Sequence, residues 1–317
     1  MSNQTISGFL LLEFTTNSEL QILHFVAFLI LYLGIVMANV LIISAVIFDS
    51  HLHCPMYFFL MNLAIQDIGQ VSVIIPKSMI NSLKNTRYIS YSGCVAQVFF
   101  LIFFMGSDFS LLTVMAYDRY IAICKPLHYE MVMSRTVCRQ IIASTWISGL
   151  LYGLVHTAGT FANTFCSNVA NQFFCEIPHL LTLSCSDWYF HEILIILLSC
   201  SLGLVCFTFV ILSYTKILII VSRIPSVHGE KKVFATCLPH LIVFSIFVST
   251  TMFAYLKPNT NIESHLNLLF TIIYSLMPPL LNPIIYGLRN KDIGLALTKL
   301  LGFKPSEKKC QFFSLIC

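Results

Sequence analysis

Three sets of residues in this chain have types and spacing that could do chemistry. The first is Asp118-Arg119, flanked by Tyr117 and Tyr120. It ends a run of about 20 mostly apolar residues, so it falls where an apolar helix would leave a bilayer. A charge at that depth is costly to bury unless paired, so the two read as a latch that opens when helices rearrange. The second set is Asp67 and Asp108, carboxylates placed well inside apolar runs with no Lys or Arg at matching depth. A buried carboxylate without a partner takes up a proton or holds a cation. A sodium ion or a proton shared by these two would answer the problem, and Asn39 and Asn282 stand at a depth to help; oxygen ligands suit a hard cation. The third set is the twelve cysteines. There is no phosphate-binding glycine loop, no HExxH, no GxSxG and no carboxylate pair in a water-exposed stretch. Enzyme chemistry is therefore not expected.

These residues sit on a chain of 317 residues that is 57% hydrophobic and only 10% charged. A soluble domain carries roughly 25% charged residues, so a globular enzyme is excluded on composition. Apolar stretches run over 24–48, 56–80, 95–122, 138–161, 191–221, 233–256 and 266–287, each long enough to span a membrane. The expected fold is an all-α membrane protein: an N-terminal tail (1–23), a seven-transmembrane helix bundle (24–287) and a tail (288–317) that opens with a short amphipathic helix. In that helix Leu288, Ile293, Leu295, Leu297, Leu300 and Leu301 alternate with Arg289, Lys291 and Lys299, a pattern for lying on membrane lipid. With the N-terminus outside, inner segments carry fourteen Lys and Arg against four outside, which sets the orientation. The net charge of +4 is too small to argue for a nucleic-acid partner. No basic n-region precedes the first apolar stretch, Phe9-Leu10-Leu11-Leu12 is too short for a signal core, and the first helix is expected to serve as the targeting signal. Asn3-Gln4-Thr5 is the only glycosylation sequon. Cys94, Cys166, Cys175 and Cys185 would face an oxidising lumen, and their spacing allows three pairings.

Several motifs in order resemble one family. Pro55-Met56-Tyr57-Phe58-Phe59-Leu60 with Asn62-Leu63 and Asp67, Met115-Ala116-Tyr117-Asp118-Arg119-Tyr120, Ser213-Tyr214, Lys232-Val233-Phe234-Ala235-Thr236-Cys237-Leu238-Pro239-His240, and Pro278-Pro279-Leu280-Leu281-Asn282-Pro283-Ile284-Ile285-Tyr286 are similar to the second, third, fifth, sixth and seventh helices of the olfactory receptors. These are a branch of the rhodopsin-like G-protein-coupled receptors, and Leu256-Lys257-Pro258 looks like their class II. The departures are Ala38, Ala64, Gly287, Asp108 where glutamate is usual, and Phe247-Val248-Ser249 where Phe-Tyr-Gly is frequent.

The resemblance implies bridges Cys94–Cys175 and Cys166–Cys185, and a plasma-membrane receptor for small, mostly apolar odorants. It implies coupling to a heterotrimeric stimulatory, olfactory-type G protein and dependence on trafficking chaperones. It assigns the switch and G-protein contact to Asp118, Arg119, Tyr120, Tyr214, His240, Asn282, Pro283 and Tyr286. Ligand positions carried over are Val98, Leu101, Ile102, Met105 and Gly106 on the third helix; Leu198, Ser199 and Leu202 on the fifth; Val248, Met252 and Tyr255 on the sixth; and Ile272 and Ser275 on the seventh. Leu101 stands where amine receptors carry an aspartate, so a cationic ligand is expected to lack its counter-ion there. His240 and His156 read as hydrogen-bonded structural histidines. The rival readings are a receptor of the same fold for a metabolite outside the nose, a non-signalling receptor, and a channel or transporter; the last would need a polar lining that the sequence does not show.

Overall fold

The computed structural model describes residues 7–12, 17–84, 86–170, 172–185, 189–223, 227–256, 264–288 and 290–301; for 18, 189, 227–236, 239, 264–268 and 286–288 the backbone alone is described. Asn3, Cys310 and Cys317 lie outside the described residues, as does the side chain of Tyr286.

Strand β1 (Gly8–Leu10) precedes helices α1 (Ser18–Phe48) and α2 (Pro55–Lys84); strand β2 (Tyr88–Ser90) leads into α3 (Tyr91–Cys124). Then follow α4 (Tyr129–Val132), α5 (Arg135–Phe161), α6 (Ile177–Thr182), α7 (Tyr189–Val221), α8 (Val227–Leu256), α9 (Ser264–Asn282) and α10 (Lys291–Leu300). The long helices match the seven apolar stretches in order. Several start earlier than the apolar run because a polar residue caps them: Asn17 accepts from the Glu19 N–H at 2.9 Å, and Ser90 from the Gly93 N–H at 3.1 Å.

Among the described residues five helices, α1, α2, α3, α5 and α7, are long and apolar enough to cross a membrane; a shorter apolar run, His240–Leu256, lies in α8, and another, Leu269–Ile285, starts in α9 and passes its end. Their outward faces are greasy: Ile30 and Met37 on α1 and Val205 and Leu212 on α7 are all exposed. Water would penalise such faces, whereas lipid does not. α3 is central, packing on α2, α5 and α7, while α9 closes the ring against α8 and α2. α9 tolerates Pro278 and Pro279 and then widens into a π-helical turn over Pro283–Leu288, since a proline cannot donate to the helical ladder. α10 buries Ile293, Ala296 and Leu297 and is pinned to the C-cap of α1 and to α2: Lys299 Nζ donates to Asp49 at 3.2 Å and the Tyr57 hydroxyl to Asp292 at 2.8 Å.

One end of the bundle carries a lid. β1 pairs antiparallel with β2, Phe9 opposite Ile89. On its other edge the Leu10 N–H donates to Asn168 O (2.7 Å), and Leu10 O accepts from the Ala170 N–H (2.8 Å). Phe9 is fully buried, stacked on Tyr91 and edge-on to Phe165. Residues expected as a plain tail are therefore part of the lid, because Phe9 and Leu11 find an apolar niche between two loops. The loop before α7 carries both disulfides, Cys94–Cys175 and Cys166–Cys185, with Cα atoms 5.6 and 5.8 Å apart.

Candidate ligand site and switch

Beneath the lid the inward faces of α3, α8 and α9 form an apolar wall. Val98 and Ile102 pack with Cys175, Ile177 and Leu181 of the lid and Ile196 of α7. Leu101 and Met105 pack with Phe173, Phe174, Phe247 and Tyr274. Tyr255 touches both groups and Ile272 the second. Val248 and Met252 belong to a third cluster that runs toward Arg119.

Five expected wall positions do other things. Leu198 and Leu202 are 62% and 65% exposed on the outer face of α7 and join no wall. Gly106 faces α5, where a Cβ would lie 2.9 Å from the Tyr152 ring; it admits a neighbouring helix. Ser275 is wholly buried, donates to Thr271 O at 2.5 Å, and its carbonyl accepts from Gln70 Nε2 at 2.7 Å. Ser199 turns to α5, its Oγ 3.1 Å from His156 Nε2, while His156 Nδ1 lies 2.8 Å from Glu192 Oε1. His156 is thus the structural histidine the sequence suggested, joining α5 to α7.

The lid supplies residues that the sequence reading left out. The Cys175 N–H donates to Gln97 Oε1 (2.9 Å), and Ser78 Oγ donates to Phe173 O (3.0 Å). Glu176 is buried against α9: Tyr274 Oη donates to it at 2.5 Å and Thr271 Oγ1 at 3.1 and 3.3 Å. Burial pushes its carboxyl up to about 7, against the opposing pull of the Tyr274 and Thr271 bonds. The implied Cys94–Cys175 bridge was the available signal, since it sets Phe173 to Ile177 over the wall.

At mid-depth Asn282 Nδ2 donates to Asp67 at 3.1 and 3.3 Å, and Asn39 Nδ2 donates to Ile35 O (3.0 Å) and Pro279 O (3.4 Å). Both oxygens of Asp108, Oδ1 of Asn39 and Oδ1 of Asn282 are buried without a hydrogen-bond donor among the described residues. Oxygens left over in this way fit a hard cation or a proton. No group of three or more His, Cys, Asp or Glu gathers for a metal among the described residues.

At the far end Arg119 is locked onto Asp118, Nη2 at 2.7 Å and Nε at 3.1 Å to the same oxygen. The Tyr129 hydroxyl donates to the other oxygen at 2.9 Å. Burial and the Asp118 charge push the Tyr129 phenol up, which keeps it a donor. Tyr214 Oη lies 2.5 Å from His240 Nδ1, so His240 is a helix–helix partner. Tyr120 stands apart from this latch, its ring centroid 6.0 Å from Lys125 Nζ. His240 stacks on Phe244, and Phe244 on Phe109 and Phe207, while Phe109 reaches Phe247 in the wall. Side chains in contact thus run from the lid end to the Arg119 end.

Residues 28–304 match the family described as olfactory receptor. The chain is 46% identical to human olfactory receptor 14A16 over 310 residues, which is 97% of this chain and 100% of that one. It is 45% identical to human olfactory receptor 14C36 over 95% of this chain and 96% of the relative. Mouse olfactory receptor 5AR1 is 41% identical over 96% of this chain and 98% of its own length.

Proposed function

Since this chain belongs to the olfactory receptor family, a family of sensory G-protein-coupled receptors without enzymatic activity, we propose that it binds small, mostly apolar volatile molecules beneath the lid and activates a stimulatory, olfactory-type G protein. In this reading seven helices span the plasma membrane. The lid and the N-terminus face outward, and Arg119, the loops around it and α10 face the cytoplasm. The observation that carries the reading is the pairing of a buried apolar wall (Leu101, Met105, Phe247, Tyr255) with a closed Asp118–Arg119 latch, joined by the Phe109–Phe244–His240 contacts.

A ligand that fits the wall better when α8 is displaced favours the state in which the His240–Tyr214 contact is broken. Tyr214 is then free to reach Arg119 once Asp118 releases it. The mid-depth oxygens of Asp67, Asp108, Asn39 and Asn282 would hold a sodium ion or a shared proton, and either stabilises the resting arrangement. Raising NaCl in place of choline chloride should raise the melting temperature of the purified receptor if sodium is held, and Asp108→Asn should remove that gain. Equal melting in both salts would favour the proton.

The test of function is cyclic-AMP output from cells carrying the chain and a stimulatory olfactory-type G protein, against a panel of small volatile organics. Tyr255→Phe should shift the response and Arg119→Ala abolish it at equal surface expression. Silence of the unaltered receptor at good surface expression would count against odorant signalling.

A further inference from the structure

The wall and the latch leave Glu176 without a use. This carboxylate is only 5% exposed, and its bonding partners among the described residues are all hydroxyls, those of Thr271 and Tyr274. Beside it Gln172, 2% exposed, donates its Nε2–H to Thr271 Oγ1 at 3.3 Å. The amide is fixed in that sense because the Thr271 proton goes to Glu176. Gln172 Oε1 is left buried with no donor among the described residues. A carboxylate offers about four acceptor sites and an amide oxygen two; two hydroxyl protons serve them all. Among the described residues the cluster is short of N–H or O–H donors and of positive charge. It is also continuous with the wall, for Tyr274 packs with Leu101, Met105 and Phe247, and its ring meets that of Tyr255 edge-on at 6.3 Å.

We propose that Glu176 and Gln172 form the polar subsite of the ligand pocket, and that it takes the ammonium head of a small alkylamine whose tail lies on the Leu101–Met105–Phe247 wall. The proposal rests on the odorant-receptor reading and narrows its ligand class. An alkylammonium brings three N–H donors and one charge, which match the surplus at Glu176 and Gln172 Oε1, and the faces of Tyr255 and Tyr274 suit a cation. It reverses the expectation drawn from Leu101: the counter-ion reaches the ligand from the lid above instead of from α3. Buried carboxylates are otherwise poor neighbours for an apolar odorant.

The probes are butylamine, hexylamine and octylamine against the matched alcohols, read as cyclic-AMP dose–response in cells with surface expression measured. Amines should act at concentrations about tenfold or more below those of the alcohols, the worth of a charge-assisted hydrogen bond. Glu176→Gln should raise the effective amine concentration about tenfold or more and move the alcohols much less. Gln172→Leu, which spares Glu176, should give a smaller shift of the same kind. Alcohols outranking amines, or parallel losses for both classes in Glu176→Gln, would overturn the subsite and leave odorant binding standing. Where no probe signals, melting of the solubilised full-length receptor decides. Stabilisation by hexylamine but not hexanol, lost in Glu176→Gln, supports the subsite while the signalling reading fails; no amine-specific stabilisation sinks the subsite.

Discussion

The lid end and the Arg119 end of this receptor are held by different kinds of bond. At the lid, two disulfides and a strand paired on both edges tie together the N-terminal segment, the loop before α3 and the loop before α7. Backbone hydrogen bonds and disulfides carry these ties, which turning a side chain does not release; bonds from Gln97, Ser78, Thr271 and Tyr274 add to them. At the Arg119 end the ties are side chain to side chain: Asp118 with Arg119 and Tyr129, and Tyr214 with His240. Each is worth on the order of 1 kcal/mol net and breaks with a change of rotamer. A stiff end suits holding a ligand in one geometry, and a labile end suits switching. In the proposed reading, a few kcal/mol of differential binding at the wall are enough to shift the far end substantially.

The contrast breaks first at the disulfides. Cys94→Ser should abolish surface expression, since that bridge closes a loop of 81 residues and losing such a crosslink costs about 2–5 kcal/mol. Cys166→Ser opens a bridge that spans only 19 residues and should lower surface staining less. Flow cytometry against total protein measures both; normal expression of Cys94→Ser would mean the lid is not the stiff end. At the labile end, Asp118→Asn removes the charge that holds Arg119. Basal cyclic-AMP should rise about fivefold to tenfold, as expected for roughly 1–1.4 kcal/mol of a two-state balance. His240→Phe keeps a ring on Phe244 and frees Tyr214, so basal output should rise about threefold. Tyr129→Phe deletes one hydrogen bond to Asp118 and should give about a twofold rise. If Tyr129→Phe exceeded Asp118→Asn, the latch would lie in the loop rather than in α3.

Much of the Arg119 end was legible because its residues are contiguous in sequence or follow fixed spacings on one helix. Asp118-Arg119 announces itself by charge at the end of an apolar run, and Asn282 and Asp67 by polarity within one. The bridge partners came from resemblance, and the structure forms both pairs. Less could be read where the partner is remote. Phe9 pairs across to Ile89 and packs on Phe165, and four apolar residues alone say nothing of such neighbours. Leu198 and Leu202 were misplaced for another reason. α7 is apolar nearly all round, so no periodic polar face fixes its rotation; its setting comes from Glu192 and Ser199 meeting His156. Glu176 stands in a loop, where a carboxylate is ordinarily wet, and only its bonds to Thr271 and Tyr274 reveal otherwise.

The smallest expected effect tests whether the lid is stiff at every pH. Glu176 titrates near 4.5 when exposed and about 7 when the lid is closed. The closed lid therefore binds the proton more tightly than the open one. Its stability is greatest below the exposed value, falls as pH rises between the two, and is fully diminished above about 7, the reverse of a salt-bridged carboxylate. Among the described residues the groups facing Glu176 are the hydroxyls of Tyr274 and Thr271, with the Tyr255 ring against that of Tyr274. His179 of α6 is held below its ordinary value by burial, so the comparison is cleanest above pH 6. Between pH 6 and pH 7.5 the melting temperature of the unliganded receptor should fall by a degree or two, and hydrogen exchange over residues 172–177 should quicken beyond its intrinsic rise. Subtracting the Glu176→Gln variant removes any part owed to other groups. A slope unchanged by that substitution would mean that Glu176 does not sense the opening of the lid, and the stiff end would then be stiff at any acidity.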